Sequence, residues 1–209
     1  GRSQRDLQPY PVVLLAGTTI LSDAEVRAFE AYVRGGGKLL VTGLTGVCDW
    51  FGNVQSHSSI EGLIGARLVG CELQHPDNYL RLPEIGEDSD PLGAILHASI
   101  EEPFDLLVYG PAAAYEPLTA TAYGQLLVAY RSENNQWVNH MSSGKVIGPA
   151  FLVNKLGDGC VITVPCAIDA AYASDYRMPE HRRVLRSIVR YLNPKPAVEI
   201  VAPPGIETV

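Results

Sequence analysis

Residues 20–52, ILSDAEVRAFEAYVRGGGKLLVTGLTGVCDWFG, constrain the fold more than any other part of the chain. They read as a strand-exit loop, an amphipathic helix, a glycine stop and a buried strand in one uninterrupted run. The preceding Pro11–Ala16, PVVLLA, is a short apolar run rich in β-branched residues, as in a strand covered on both faces. Ser22 stands at an N-cap position with Glu25 three residues on, the pattern of a capping box, and Leu21 and Val26 are spaced for a hydrophobic staple. Val26, Phe29 and Val33 share one helical face, while Arg27, Glu30 and Arg34 point elsewhere. Gly35, Gly36 and Gly37 stop the helix, because glycine reaches the left-handed conformation without steric cost. Lys38–Thr42, KLLVT, is then the next strand, and a strand–helix–strand run of this length calls for a parallel βαβ unit.

Further along, Ser59–Ile64 reads as a short helix and Ala66–Leu73 as a strand. Residues 74–103 are rich in proline and acidic side chains and read as a surface excursion with a short helix over Leu92–Ala98. Phe104–Tyr109 is strand-like. Leu118–Thr121 and Leu126–Arg131 bracket Tyr123 and Gly124 as short antiparallel strands, and Asn134 and Asn135 mark a turn. Ala150–Asn154 and Cys160–Pro165 flank the turn residues of LGDG as a hairpin. The last helix opens with Pro179 in its first turn and runs to Leu192, and Val198–Ala202 begins another strand.

Charge and composition narrow the partners. The formal net charge of −7, from 16 basic and 23 acidic residues, argues against nucleic acid or an anionic membrane as partner. The one basic cluster, Arg182, Arg183, Arg186 and Arg190, falls on the polar side of the last helix and reads as a solvated face. No stretch approaches a membrane span. Cys48, Cys71, Cys160 and Cys166 show no metal-ligand spacing with the five histidines, so no metal or other cofactor is expected. Cys160 and Cys166 bracket an apolar strand and read as buried thiols. Free cysteines favour a reducing compartment such as the cytoplasm, while an extracellular disulfide between two of them stays open.

The runs LSDAEVRAFEAYVRGGGKLLVTGLTGVCDWFGN, IEGLIGARL and GPAFLVNKLGDGCVITVPC, with the closing arginine-rich helix, together resemble the β-galactosidase trimerisation domain. That domain has a flavodoxin-like fold akin to class I glutamine amidotransferases and follows the catalytic barrel in family 42 and related glycoside hydrolases. The resemblance covers most of residues 9–193. It implies an α/β, flavodoxin-like three-layer domain with a mostly parallel central sheet and antiparallel additions near residues 117–165. It also implies a piece of a larger glycosidase-like polypeptide. A leading strand–helix unit would be missing or reduced to GRSQRDLQPY, and residues 194–209 would start a trailing β segment. The implied role is a non-catalytic assembly module. Its partners would be further copies of the chain or a neighbouring glycosidase catalytic domain, with carbohydrate as a possible ligand.

The competing reading is catalytic and starts at Cys48. Related cysteine hydrolases place a nucleophile on a tight strand-to-helix turn, where helix amides lower the thiol pKa and donate to an oxyanion. Their G-x-C-x-G elbow is matched by Gly46 and Cys48, but Trp50 replaces the second glycine. The amidotransferase His-Pro-Glu run has its letters in another order in Met178-Pro179-Glu180-His181, which leaves His181 as a candidate base, with His75 and His140 dependent on the fold. Asp49, Trp50 and Phe51 are candidates for a sugar or a subunit contact, since aromatic faces stack on sugar rings and anchor interfaces. Core cover by the two aromatics stays equally open, as it does for Tyr109, Tyr115, Tyr123 and Tyr130. Glu84, Glu87, Asp88 and Asp90 lack the order of a calcium loop and read as a solvated acidic loop. A small-ligand module at the C-terminal edge of the sheet is the third reading, because fold alone assigns no function.

Overall fold

A computed structural model of the chain describes residues 4–73, 77–84, 91–129, 141–175 and 177–198. After a single turn, α1 (Gln4–Leu7), the expected βαβ unit forms: β1 (Val12–Ala16), α2 (Asp23–Arg34) and β2 (Lys38–Thr42), with β1 and β2 parallel and Leu14 opposite Leu40. Ser22 caps α2 as read. Its Oγ accepts from the Glu25 N–H at 3.3 Å, and its own N–H donates to the Glu25 carboxylate at 2.9 Å. The Ser22 hydroxyl also donates to that carboxylate, which holds Glu25 below the usual carboxylate range. The stop differs from a simple left-handed cap. Gly35 sits at φ −82°, an ordinary conformation, and the left-handed residue is Gly36 at φ 99°. Gly37 is required for another reason, since a Cβ there would overlap the Tyr32 ring.

The chain continues through α3 (Glu61–Ile64), β3 (Ala66–Glu72), β4 (Asp77–Arg81), α4 (Pro91–His97), β5 (Leu106–Tyr109), β6 (Ala112–Pro117), β7 (Thr121–Tyr123) and β8 (Gln125–Ala129). It ends with β9 (Ser142–Gly148), β10 (Phe151–Leu156), β11 (Gly159–Val164), α5 (Ile168–Ala173) and α6 (Pro179–Leu192). The β10–β11 hairpin is present and turns on Gly157 and Asp158. Beyond Val198 the expected strand lies outside the described residues, as do Asn134, Asn135, His75, His140, Tyr130, Glu87, Asp88 and Asp90.

Three sheets form. A five-stranded sheet has the order β1-β2-β11-β10-β7, β3 pairs with β6, and a four-stranded antiparallel sheet has the order β5-β4-β8-β9. The five-stranded sheet is mixed rather than mostly parallel: β1–β2 and β2–β11 are parallel, β11–β10 and β10–β7 antiparallel. The cause is local, because the LGDG turn reverses the chain where a crossover helix would have kept it parallel. Nor is β1 covered on both faces. Among the described residues it is an edge strand, and Leu14 is 49% exposed. The segment Leu118–Ala120 is a bend instead of a strand, because the N–H groups of all three residues converge on the carbonyl of Gly65 at 2.9–3.0 Å.

Alternate strand residues enter different apolar clusters, as the two-residue period of a strand requires. Leu40, Ile162, Val164 and Phe151 pack with Leu92 and Leu96 of α4 and Val184, Ile188 and Leu192 of α6. Leu39, Val41, Val161 and Leu152 pack on the opposite face with Tyr32 and Val33 of α2 and Leu63 and Ile64 of α3. Val33, wholly buried, contributes about 1.5–3 kcal/mol by its transfer from water. Asn154 on β10 ties this second face together: its Nδ2 donates to the Leu63 carbonyl at 3.0 Å, and its Oδ1 accepts from the Thr119 hydroxyl at 3.0 Å.

Candidate functional site

The loop leaving β2 is built by hydrogen bonds to both neighbouring strand ends. The N–H of Gly43 donates to the carbonyls of Val164 and Cys166 at the end of β11, at 3.0 and 3.1 Å. On the other side Gly46 donates to Thr18 and Cys48 to Thr19, both at 2.9 Å, beside the segment that follows β1. Gly46 has φ 70°, and a Cβ there would lie 2.7 Å from Ser59 Oγ, so only glycine lets the chain turn under Ser59.

Cys48 therefore lies in a short ladder between Ile20 and Val54. Its N–H is committed to Thr19, and the next helix, α3, begins only at Glu61, so Cys48 does not stand on a strand-to-helix turn. His181 is elsewhere. It is buried in the first turn of α6, where Nδ1 accepts from the Met178 N–H at 3.1 Å and Nε2 meets the Leu107 carbonyl at 2.7 Å. The helix carrying His181 packs on one face of the central sheet, while Leu44 and Val47 beside Cys48 pack on the other. The fold does not bring the pair together, and both ring nitrogens of His181 are already engaged.

Asp49, Trp50 and Phe51 form one unit. Asp49 Oδ1 accepts from the N–H groups of Phe51 and Asn53 at 2.9 and 2.8 Å, and Oδ2 accepts from the Asn53 side-chain amide at 3.1 Å. The Asp49 backbone exchanges two further bonds, receiving the Gly52 N–H at 3.0 Å and donating to the Asn53 carbonyl at 2.9 Å. The Asn53 amide, with these N–H donors, holds the Asp49 carboxyl below its ordinary range. At the tip of this knot Trp50 is 75% and Phe51 88% exposed. The rings therefore do not cover the core of the described residues. Tyr115 went the other way: it is buried, and burial pushes its hydroxyl up to about 12.

The cysteines are free thiols. Cys166 is fully buried, whereas Cys160 is only half-buried, and burial raises the pKa of both. Among the described residues no three His, Cys, Asp or Glu side chains are grouped to hold a metal ion.

A second feature escaped the sequence because it lies in what read as a surface excursion. Between β4, the chain at Pro83, the end of α4 and the start of β5 is a cavity of about 510 Å³, lined by Arg81, Glu84, His97, Ile100, Phe104 and Asp105 among others. Arg81 grips Asp105 with two bonds of 2.8 and 2.9 Å and reaches Gln125 at 3.2 Å. The Arg81 guanidinium keeps the Asp105 carboxyl below its usual range. On β4 only the adjacent pair Tyr79 and Leu80 is apolar, too short a run to show the two-residue period of a strand.

No family model and no curated protein matches the chain. Solved structures do. The chain is similar to α-L-fucosidase isoenzyme 2 from Paenibacillus thiaminolyticus, with a TM-score of 0.65 and 20% identity over 90% of this chain and 26% of that one. It is similar to a cold-adapted β-galactosidase from Rahnella sp. R3, with a TM-score of 0.62 and 15% identity over 96% of this chain and 25% of that one. A ThuA-like protein from Bacteroides uniformis matches with a TM-score of 0.56 and 11% identity over 91% of this chain and 72% of its own. At these identities the likeness is one of fold. The chain spans about a quarter of the length of the two glycosidases, and it shares its mixed α/β fold with that portion of them.

Proposed function

We propose that the chain is a non-catalytic accessory domain of a glycoside-hydrolase-like protein and works through subunit or domain contacts made by the Trp50–Phe51 tip. The observation that carries this reading is the pairing of extreme exposure with a locked backbone: two large aromatics stand in solvent on a loop that Asp49 holds from both sides. Aromatic rings are the side chains that dominate interface energetics. Each buries roughly 150–250 Å² against a partner, a gross gain of several kcal/mol at about 25 cal/mol/Å². Part of that gain is offset by lost rigid-body freedom, and a loop ordered in advance has less side-chain and backbone entropy left to lose.

Two further features support it. The loop is strapped to the chain after β1, and β1 is itself an edge strand among the described residues, with Leu14 half-exposed and Tyr10 at 52%. Such an apolar edge is a surface that a neighbouring domain or subunit would cover. The similarity to a quarter of much longer glycosidases fits a domain that has neighbours. In this reading the parallel β1, β2 and β11 with apolar clusters on both faces are the core of a flavodoxin-like three-layer arrangement, akin to the amidotransferases in fold. A Cys48 hydrolase fits less well, since Cys48 does not stand on a strand-to-helix turn and its candidate base His181 is buried in a helix on the other face of the sheet.

Sedimentation velocity over the micromolar range tests the reading. The wild-type chain is expected to associate with rising concentration, and Trp50→Ser/Phe51→Ser to remain monomeric. Equal masses for the two proteins at every concentration would remove the tip as a subunit contact.

A further inference from the structure

We infer that the cavity between β4, α4 and the start of β5 is a binding site for a neutral cyclic sugar, separate from the Trp50–Phe51 tip. Its volume of about 510 Å³ falls within the roughly 300–1,000 Å³ of small-ligand sites. The chemistry of its wall is what selects the ligand. Ile100 is buried and Leu82 half-buried beneath it, and Phe104, 41% exposed, presents an aromatic ring at its side. Such a ring matches the apolar C–H face of a sugar.

The polar groups are fixed before any ligand arrives. Arg81 uses three N–H groups on Asp105 and Gln125, which leaves two of its five donors, and Asp105 is an acceptor held in one plane by the same pair of bonds. His97 Nδ1 lies 2.9 Å from the Pro83 carbonyl, which can only accept, so Nδ1 carries a hydrogen and Nε2 is not committed to that bond. A purely apolar ligand would strip water from these groups without replacing it, at a cost of about 1–3 kcal/mol for each one left unpaired. A hydroxyl both donates and accepts, so a ring of hydroxyls satisfies a mixed wall of this kind.

Charge favours a neutral ligand over an anion. Arg81 and Asp105 neutralise each other, and Glu84 is left as the remaining carboxylate of the lining, so a phosphate or carboxylate ligand meets no uncompensated cation. Among the described lining residues a cationic ligand finds one exposed carboxylate, Glu84. The cavity also lies away from the tip, because Ile100 belongs to the cluster with Leu92 and Leu96 on the α4–α6 face, and Val47 and Ile60 to the other.

The test is an amide-resolved NMR titration of the full 209-residue chain with glucose, galactose, mannose and lactose, alongside glucuronate, glucosamine and cyclohexanol. At least one neutral sugar is expected to move the amide signals of Leu82, Ile100 and Asp105. Phe104→Ala should weaken that binding about tenfold or more, the effect of removing a central aromatic contact. Trp50→Ser/Phe51→Ser should leave it unchanged, so failure of the contact reading and failure of this one are distinguishable. His97→Ala supplies the same comparison if Phe104→Ala does not give a folded spectrum. The site is overturned if no neutral sugar moves these signals, if the variants bind as the wild type does, or if a charged sugar or cyclohexanol binds more tightly.

Discussion

The Nε2 of His181 lies 2.7 Å from the carbonyl oxygen of Leu107, and this contact joins the start of α6 to β5. Because that oxygen can only accept, Nε2 carries the hydrogen, and Nδ1 is left to accept from the Met178 N–H at 3.1 Å. One neutral tautomer satisfies both partners. Burial lowers the pKa of the ring below 6.5, and a proton added to Nδ1 would face the Met178 N–H. The unfolded chain therefore takes up this proton first, at about pH 6.5, so stability falls as pH drops below that value and the loss ends once the folded ring also titrates. Urea unfolding is expected to show a lower midpoint at about pH 5.5 than at about pH 7.5, and the part of that difference due to His181 should vanish in His181→Gln. An unchanged pH dependence in the variant would remove His181 as its source.

Asp49 governs the order of the tip. Asp49→Ala removes the acceptor of three hydrogen bonds, so the amides of Phe51 and Asn53 should exchange with solvent about tenfold faster or more, while global stability barely moves because the loop is exposed. Since the Asp49 carboxyl sits below the ordinary aspartate range, the same loosening should appear in the wild type only as pH falls below that range. Hydrogen exchange read residue by residue checks both.

Gly37 and Tyr32 are coupled. The Tyr32 hydroxyl donates to the Tyr10 carbonyl at 2.8 Å and accepts from the Lys38 N–H at 3.3 Å, so the ring cannot swing away from a new methyl group. Gly37→Ala should cost about 1–3 kcal/mol, the usual range for overpacking a buried site. Chemical denaturation measures it, and a loss under about 0.5 kcal/mol, the level of an uninvolved surface position, would show that the ring yields.

The thiols differ by position. Cys166 is fully buried, its thiol pushed well up by burial and by the nearby Asp169 carboxylate, and should resist iodoacetamide until the chain unfolds. Cys48 is partly exposed and its candidate base His181 lies in a helix on the other face of the sheet, so it should alkylate in the native chain no faster than a cysteine of the urea-unfolded chain. A native Cys48 that reacts faster would reopen the catalytic reading.

Short-range patterns were legible wherever the partners of a residue are its own neighbours in sequence. Ser22 and Glu25 are three residues apart, LGDG closes a hairpin on itself, and the apolar stripe of α6 repeats within one helix. β4 was not legible, because Asp77 and Asn78 are polar by sequence yet buried in place, Asn78 donating to the distant Gly110 carbonyl at 2.6 Å. Leu118–Ala120 failed for the same reason: the Gly65 carbonyl that bends it is remote in sequence. The cavity needed Arg81 to meet Asp105 and His97 to meet Pro83, pairings that no local pattern contains.

By itself the sequence determined the βαβ unit, its cap and its glycine stop, since propensity, capping and hydrophobic period act over a few residues. Only the tertiary structure decided which surfaces are free. An apolar strand reads alike at the centre or the edge of a sheet, and β1 lies at the edge. An aromatic beside a turn reads alike buried or exposed, and Trp50 and Phe51 stand in solvent. Burial is a property of what packs against a residue, and that is set by contacts far apart along the chain.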